Sequence, residues 1–308
     1  MDKEYFLNMV AIMYYERNMT QEEIAEKFQI SRMTVSRILQ QARNSHIVEV
    51  KVKVPFELEQ KLQTKIIDQY RISKAYVVDS SGEKDIPGLI GKVGGFFLSL
   101  DIQNNDIIGF GVGSTVAKVV ENITSMCTND LQIVQLMGGL RDIANYNPLS
   151  IVQEVCKKLK ARGTYLNSPV IVEDKKMRDF LLFKSSSRNK ILELWKKCNK
   201  AIFGIGAFKK DAILLEHLIN KKEVNVIKER GGVGNILGYC FDLEGRFVDT
   251  PLKDRVVSIP FNLLEKVKEK IAVAGGKEKI DAIRGALRSG LITTLITDRN
   301  TAKELISK

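Results

Sequence analysis

Histidine and cysteine are both scarce in this chain, and their scarcity excludes several kinds of site. Its 308 residues include two histidines, His46 and His217, so a histidine metal site or a catalytic histidine would depend on one of these two. The four cysteines lie far apart and form no Cys-x-x-Cys pair: Cys127, Cys156, Cys198 and Cys240. We therefore predict no disulfide, no metal site and a reducing, cytoplasmic environment.

Long apolar runs are missing as well. Strongly apolar stretches such as residues 201–208 fall far short of the roughly 20 residues that a membrane-spanning helix needs. Residues 1–4 (Met-Asp-Lys-Glu) lack the basic and apolar regions of a secretory signal. We therefore expect no membrane partner.

The chain carries a net charge of +11, from 48 lysines and arginines against 37 aspartates and glutamates. This excess suggests anionic partners such as nucleic acid or phosphate-bearing ligands. The first 55 residues are nearly balanced, with eight basic and seven acidic side chains, but residues 31–53 hold five basic side chains against one acidic. A local basic stripe is thus predicted there, whereas most other lysines are expected on solvated helix faces.

Residues 1–55 are predicted to form a small helical unit. An apolar stripe predicts a first helix over residues 3–17. Thr20 and Glu23 form a capping box, in which each side chain satisfies a backbone N–H group at the start of a second helix. A third helix is predicted from residue 32 to about residue 42.

The second and third helices, joined by a three-residue turn, match a helix-turn-helix, whose second helix enters the DNA major groove. Ser31 can cap this third helix, and Val35, Ile38 and Leu39 face inward. The outward face then holds side chains suited to bases and phosphates: Arg32, Met33, Thr34, Ser36 and Arg37. A helical hairpin without DNA contacts is the alternative interpretation.

Two further groups of residues are expected to contact the DNA backbone. Thr20 and Gln21 open the second helix, where free amide groups favour phosphate. Residues 48–54 alternate valine with charged residues, which is typical of a strand. Lys51 and Lys53 on that strand could contact the backbone, as in a winged helix-turn-helix.

From residue 74 onward, predicted strands alternate with predicted helices. Apolar runs predict strands at residues 75–78, 106–111, 131–137, 165–172, 201–205, 256–259, 271–274 and 291–297. Helical periodicity marks residues 115–123, 149–160, 188–198, 262–270 and 277–289. The alternation predicts an α/β domain over residues 56–308 with an open, mostly parallel sheet. A helix over residues 56–70 is predicted to link the two domains, to form an oligomerisation seam, or to pack on its own domain.

Four of these strands end in glycine, so the backbone there can approach an anion closely. The strand ends are Gly111-Val112-Gly113 with Ser114 and Thr115, Gly138-Gly139, Gly204-Ile205-Gly206, and Gly275-Gly276-Lys277. Ligands of open α/β sheets lie at this carboxyl edge, so a phosphorylated small molecule is predicted. A dinucleotide is disfavoured, since no third glycine completes Gly109-x-Gly111 and no acidic residue ends the next strand.

Several motifs in this order resemble one known family. They are residues 33–39 with 41–43, Gly111-x-Gly113-Ser114-Thr115, residues 136–139, residues 231–236 with Phe241-Asp242 and Gly245, residues 273–277, residues 286–290 and residues 295–298. Together they are similar to the SorC/DeoR-type sugar-responsive transcriptional regulators of bacteria. Two departures stand out: Ser45-His46 where the family has glycine after the recognition helix, and Asn235 where it has aspartate.

The resemblance implies a winged helix-turn-helix joined to a domain similar to sugar-phosphate isomerases. It implies a DNA operator and a phosphorylated sugar as partners, a dimeric or tetrameric assembly, and no cofactor. The implied effector contacts are Gly111, Gly113, Ser114 and Thr115 around the phosphate, Gly138 and Gly139 as a backbone wall, Asn147 and Asp249 at sugar hydroxyls, Arg230 at the phosphate, and Lys277 at the ligand from the third glycine turn.

Two other functions stay open from the sequence. The first is an enzyme, a sugar-phosphate isomerase with an accessory DNA-binding module, for which Asp249 is the one carboxylate that could serve as a base. The second is a nucleic-acid-binding protein without an effector, in which the glycines serve the fold alone.

Overall fold

The chain folds into two separately packed units, Met1–Pro55 and Phe56–Lys308. The computed structural model describes residues 3–48, 54–124, 129–140, 146–184, 189–208 and 219–307. Each unit has an apolar core of its own. The strand predicted at residues 48–54 lies almost wholly outside the described residues.

The first unit consists of three helices, α1 (Lys3–Tyr15), α2 (Gln21–Phe28) and α3 (Arg32–Asn44). One residue from each helix is completely buried in the shared core: Val10, Ile24 and Val35. The predicted capping box is confirmed, since the Thr20 side chain accepts from the Glu23 amide and the Glu23 carboxylate accepts from the Thr20 amide. The caps fix where α2 and α3 begin, and the apolar spacing fixes the face that each helix buries.

The second unit is built on a seven-stranded sheet in which every pair of neighbours is parallel. Its strand order is β1-β10-β9-β5-β2-β3-β4. The strands are β1 (Lys74–Val78), β2 (Ile107–Phe110), β3 (Gln132–Gln135), β4 (Arg162–Thr164), β5 (Lys200–Phe203), β9 (Glu269–Val273) and β10 (Thr294–Asp298). The predicted mostly parallel α/β sheet is thus confirmed.

Helices cover both faces of this sheet. The helices of the second unit are α4 (Gln60–Tyr70), α5 (Ile86–Asp101), α6 (Ser114–Asn122), α7 (Pro148–Leu159), α8 (Lys175–Asp179), α9 (Asn189–Lys197), α10 (Lys221–Glu229), α11 (Phe261–Leu264), α12 (Ile280–Arg288) and α13 (Arg299–Ile306). Helices α5, α6 and α7 pack with Ile202 in one core, whereas α4, α9, α12 and α13 pack with Ala201 and Phe203 in the other. The alternation along β5 therefore separates the two cores.

A small antiparallel sheet, with strand order β6-β7-β8, completes the second unit. Its strands are β6 (Gly206–Ala207), β7 (Gly232–Ile236) and β8 (Tyr239–Asp242). Leu237 and Gly238 form the turn between β7 and β8, both with positive φ (52° and 90°), as a two-residue hairpin turn requires. Short turns of other types occur at Phe180–Lys184 (π), Pro251–Asp254 (3₁₀) and Lys277–Lys279 (3₁₀).

Four predicted elements differ from the structure. The helix predicted from residue 56 begins at Gln60, because Leu58 pairs with Val78 in an antiparallel bridge instead. The helix predicted over residues 262–270 stops at Leu264, since Glu269 starts β9 and pairs with β5. The runs at residues 165–172 and 256–259 make isolated bridges to their neighbours and form no regular strand.

Candidate functional site

The third helix of the first unit exposes a polar face. Ser31 caps its start by accepting a hydrogen bond from the Thr34 amide at 3.1 Å. Val35, Leu39 and Ala42 are buried against the other two helices. All five residues predicted to face outward are exposed: Arg32, Met33, Thr34, Ser36 and Arg37. Met33 is the one apolar side chain among these five, and it is 68% exposed.

The start of α2 lies beside this face. Thr20, Gln21 and Arg32 line one open groove of about 540 Å³, together with Glu22. Nε of Arg32 lies 2.9 Å from Oε1 of Glu22, so this arginine is held by an acidic neighbour. Arg37 has no acidic partner among the described residues, since its recorded contact is with the sulfur of Met33 at 4.0 Å. The two arginines on the exposed face are therefore in different electrostatic settings.

The chain after α3 turns through His46, which has a φ of 56°. This left-handed conformation is the one that glycine adopts most easily, and here histidine adopts it. Lys51 and Lys53 lie outside the described residues.

In the second unit, the glycine-ended strands come together at the carboxyl edge of the sheet. Strands β9, β5, β2 and β3 are neighbours in that order, so their carboxyl ends lie side by side. A Cβ atom added to Gly204 would lie 3.4 Å from the carbonyl oxygen of Val112 and 4.0 Å from that of Val273. The backbones at the carboxyl ends of β2, β5 and β9 thus approach one another closely around Gly204.

Gly113 forms the start of α6 with a φ of 137°, a conformation that side-chain-bearing residues rarely adopt. No side chain caps this helix, and the amides of Gly113, Ser114 and Thr115 donate to no acceptor among the described residues. Thr115 is buried and Ser114 is half-buried. This arrangement offers three backbone donors and two hydroxyl groups at a helix N-terminus, which suits an anion.

Gly111, Gly138 and Gly139 differ from that cradle because their amides already donate to the carbonyl groups of Ile202, Val257 and Ser168. A Cβ atom on Gly138 would lie 2.4 Å from the carbonyl oxygen of Pro169. These glycines therefore permit close backbone packing and supply no free donors. The prediction that Gly138 and Gly139 form a backbone wall is compatible with this packing.

Asn147 lies beside Gly139, where an added Cβ atom would be 3.5 Å from its Oδ1. Its amide already has two local partners, because Nδ2 donates to the Leu140 carbonyl at 2.7 Å and Oδ1 accepts from the Leu149 amide at 3.1 Å. Asn147 thus caps α7, and any contact with a ligand would have to share these groups.

Arg230 and Asp249 are brought together on an exposed part of the unit. Nη1 of Arg230 donates to the Asp249 carbonyl oxygen, and the Asp249 carboxylate pairs with Lys253. The hydrogen bond from Lys253 and its charge, with a smaller effect of Arg230, lower the pKa of Asp249. No hydrogen bond or ion pair within the described ranges links these residues to the strand-end glycines.

Lys277 and Lys279 lie on one 3₁₀ turn, but in different environments. Lys277 is exposed, whereas Lys279 is half-buried, and burial lowers its pKa. The turn that carries both contacts strand β6 at the carboxyl edge of the sheet. Sequence reasoning missed Lys279 because two lysines two residues apart look alike until the turn shows which one points into the unit.

Two kinds of feature are missing from the part of the chain that the structure describes. No helix there is long and apolar enough to cross a membrane. No group of three or more histidine, cysteine, aspartate or glutamate side chains could hold a metal ion there.

The chain is similar to known proteins over its whole length. Residues 54–307 match the family described as "Putative sugar-binding domain", and residues 9–45 match sigma-70 region 4. The deoxyribonucleoside regulator of Bacillus subtilis (strain 168) is 27% identical over 310 residues, which covers 99% of this chain and 98% of the relative. The sorbitol operon regulator of Klebsiella pneumoniae is 27% identical over 303 residues, which covers 96% of each chain. The crystal structure of full-length SorC from Klebsiella pneumoniae gives a TM-score of 0.75 at 26% identity and covers 100% of both chains.

Proposed function

The chain belongs to the SorC/DeoR-type family of transcriptional regulators with a sugar-binding domain, and from this premise we propose that it is a sequence-specific DNA-binding regulator whose operator affinity is set by a phosphorylated sugar. Members of this family are regulators and not enzymes, so the isomerase alternative is set aside. The relatives named above regulate a sorbitol operon and deoxyribonucleoside use, which supports a small sugar-like effector here.

The DNA-binding part of the proposal is carried by one observation, the exposed face of α3. Residues 32–34, 36 and 37 are exposed to solvent, whereas Val35 and Leu39 are buried. Arg37 can bind guanine with two hydrogen bonds, and the hydroxyl groups of Thr34 and Ser36 can contact bases or phosphates. Thr20 and Gln21 would contact phosphate from the start of α2, and Lys51 and Lys53 would add backbone contacts.

The effector part of the proposal is supported by the open helix start at Gly113. Ser114 and Thr115 would hold the phosphate with hydroxyl and amide donors, and Gly111 lets the backbone approach. Lys279 would add a partly desolvated positive charge, a role for which its exposed neighbour Lys277 is less suited. Gly138 and Gly139 would line the sugar, Asn147 and Asp249 would contact its hydroxyl groups, and Arg230 would pair with its phosphate. The proposal includes no cofactor, and the phosphorylated sugar is the small-molecule ligand.

The regulator is proposed to act as a dimer or tetramer. Two recognition helices would then meet successive major grooves about 34 Å apart, and an effector that favours one arrangement would change operator affinity. We also propose that the protein is cytoplasmic, because that is where its DNA operator would be.

A thermal-shift screen tests the effector part first. The purified chain is heated with phosphorylated pentoses and hexoses and with the same sugars lacking phosphate. A compound at 100 times its dissociation constant should stabilise the protein by roughly 2.7 kcal/mol. Stabilisation by a sugar phosphate and not by its free sugar supports the proposal, and equal effects of both forms contradict the phosphate site.

Selection from a random duplex DNA library tests the DNA-binding part. We expect the chain to enrich one sequence, and Arg37→Ala to weaken binding to it by about ten- to a hundredfold while relaxing one base position. Lys27→Ala is the matched control, since this exposed lysine at the end of α2 lies outside the predicted face. Equal losses in both variants would mean that α3 does not read bases.

A further inference from the structure

Helix α13 begins directly against the Gly275–Gly276 turn of the proposed effector site. Asp298, which caps this helix, is 1% exposed and accepts hydrogen bonds from the amides of Asn300 and Thr301 at 3.0 and 3.1 Å. The hydroxyl of Thr301 donates to the same carboxylate at 2.5 Å. The start of α13 is therefore a tightly bonded, buried group.

This buried group also holds the glycine turn. The amide of Gly276 donates to the Thr301 hydroxyl at 2.8 Å and lies 3.3 Å from Oδ2 of Asp298. A Cβ atom on Gly275 would lie 2.4 Å from the Asp298 carboxylate, so the turn and the cap are in contact. A shift of the turn must therefore move the first residues of α13 or break these bonds.

The next residue, Arg299, extends the contact to the segment that follows the first unit in the chain. Its Nε lies 3.0 Å from Oε1 of Glu59, and its Nη1 lies 3.1 Å from Oδ1 of Asp79 and 2.9 Å from the hydroxyl of Ser81. These partners are partly exposed, so each ion pair alone contributes little to stability. The single guanidinium group nevertheless joins Glu59 to the segment that holds Asp79 and Ser81.

Residues 57–59 are in turn fixed to the end of β1. The Glu59 amide donates to the Val77 carbonyl at 2.8 Å, and the Asp79 amide donates to the Glu57 carbonyl at 2.9 Å. Glu59 is also the residue that precedes α4. The far end of α4 is bonded to α13 as well, since the Tyr70 hydroxyl donates to the Leu305 carbonyl at 2.9 Å. Helix α13 thus holds both ends of the helix that follows the first unit in the chain.

We propose that Asp298, Thr301 and Arg299 are positioning residues that couple the Gly275–Gly276 turn to residues 57–59, which lie immediately before α4 and begin two residues after the end of the first unit. This inference rests on the proposed function, because the turn belongs to the proposed effector site. Residues 298–301 at the start of α13 contact the Gly275–Gly276 turn through Asp298 and Thr301, and they contact Glu59 through Arg299. A shift of the turn can therefore be passed to Glu59. Occupancy of the turn therefore biases the segment that leads to the DNA-binding unit.

Amide hydrogen exchange on the ligand-free full chain tests this coupling without any effector. Thr301→Val removes the hydroxyl that the Gly276 amide uses and keeps the side-chain shape. We expect it to speed exchange about two- to tenfold in peptides covering residues 274–280, and at least about twofold in peptides covering residues 56–62 and 77–81. Thr301→Ser keeps the hydroxyl and should restore the original rates. If Thr301→Val is too unstable to purify, Asp298→Asn weakens the same acceptor group and takes its place.

The double variant Thr301→Val with Arg299→Gln tests whether the coupling passes through Arg299. In that background Thr301→Val should still speed exchange at residues 274–280 but no longer at residues 56–62. Tyr70→Phe is the matched control, because it loosens the other end of α4 and should leave the response at residues 56–62 intact. The coupling is overturned if Thr301→Val affects residues 274–280 alone, or if its effect at residues 56–62 persists without Arg299.

A last experiment distinguishes a failure of this inference from a failure of the proposed function. Inorganic phosphate, compared with chloride at equal ionic strength, should slow exchange at residues 274–280 and at residues 56–62 in the unmodified chain. If phosphate slows neither region while the variants behave as expected, the coupling stands and the proposed anion site is wrong. If phosphate slows residues 274–280 alone, the site stands and the coupling is wrong.

Discussion

Lys200 and Asp106 form an ion pair that is almost completely buried beneath the amino ends of β2 and β5. The Nζ atom lies 2.7 Å from Oδ2, and the two side chains are 4% and 5% exposed. Asp106 also accepts from the Asn199 side chain at 2.6 Å and from the Gln103 amide at 2.8 Å. This carboxylate therefore holds together two segments, residues 103–106 and residues 199–200, at the edge of the sheet opposite the proposed effector site.

We predict that Asp106→Ala lowers the free energy of unfolding of the second unit by about 3 kcal/mol, because it leaves the Lys200 ammonium buried without its main partner. Urea unfolding followed by the fluorescence of Trp195, the single tryptophan of the chain and a buried residue of this unit, measures the change. Glu193→Ala is the control: its pair with Lys196 is exposed on the surface, so less than about 1 kcal/mol should be lost. Equal losses in both variants would show that burial does not decide the strength of this pair.

The proposed phosphate cradle makes Thr115 a critical position. Thr115→Val keeps the shape of this buried residue but removes its hydroxyl, and we expect affinity for a stabilising sugar phosphate to fall about tenfold. Thermal shift over a concentration series measures the dissociation constant.

Thr297→Val is the matched control for that experiment. Thr297 is fully buried on β10, and its hydroxyl has no hydrogen-bond partner among the described residues. Its replacement should leave sugar-phosphate affinity unchanged and hold or raise the melting temperature, because an unsatisfied buried hydroxyl is removed. A similar loss of affinity in both variants would mean that Thr115 acts through packing alone.

The two lysines of the third glycine turn are expected to behave differently. Lys279→Met should weaken binding of a sugar phosphate by about tenfold or more, whereas Lys277→Met should change it little. Since burial lowers the pKa of Lys279, binding should also weaken as the pH rises through that lowered value and the ammonium loses its proton. Isothermal titration of both variants at neutral and alkaline pH checks this order, and the reverse order would assign the contact to Lys277.

The sequence predicted an open, mostly parallel sheet but not the elements rich in glycine. Helix α5 was missed because glycine is a poor helix former, yet Gly91 and Gly95 let α6 approach so closely that added Cβ atoms would lie 2.4 and 2.6 Å from Lys118 and Asn122. Strand β7 was missed for the same reason, although Gly234 makes room for Ala282 of α12. In both elements, close packing against a partner outweighs local propensity, and the partner is not visible in the local sequence.

The two proposed sites differ in how far the sequence could predict them. The outward face of α3 follows from helical spacing and a cap, which are local signals, so all five residues were placed correctly on the surface. The effector residues depend on contacts between distant segments. Local sequence could not show that the amides of Gly138 and Gly139 are already bonded, or that Lys279 and not Lys277 is half-buried.

The capping box of the first unit predicts a pH dependence. Hydrogen bonds from the Thr20 amide and hydroxyl hold the pKa of the Glu23 carboxyl below its ordinary value of 4.5. Because the folded-state pKa is the lower one, the ionised carboxylate stabilises the folded unit above about pH 4.5, and this contribution is lost as the pH falls through the folded-state pKa.

Carboxyl-carbon NMR of the full chain measures this pKa directly. We expect Glu23 to titrate below a glutamate in a blocked peptide, and Thr20→Ala, which removes the hydroxyl partner but keeps the amide, to raise its pKa part of the way back. Glu23→Gln should remove the corresponding step from the acid unfolding curve, since an amide carries no titratable proton. A Glu23 pKa equal to that of the peptide would show that the capping box does not hold in solution, and the start of α2 beside Arg32 would then be less well ordered for DNA.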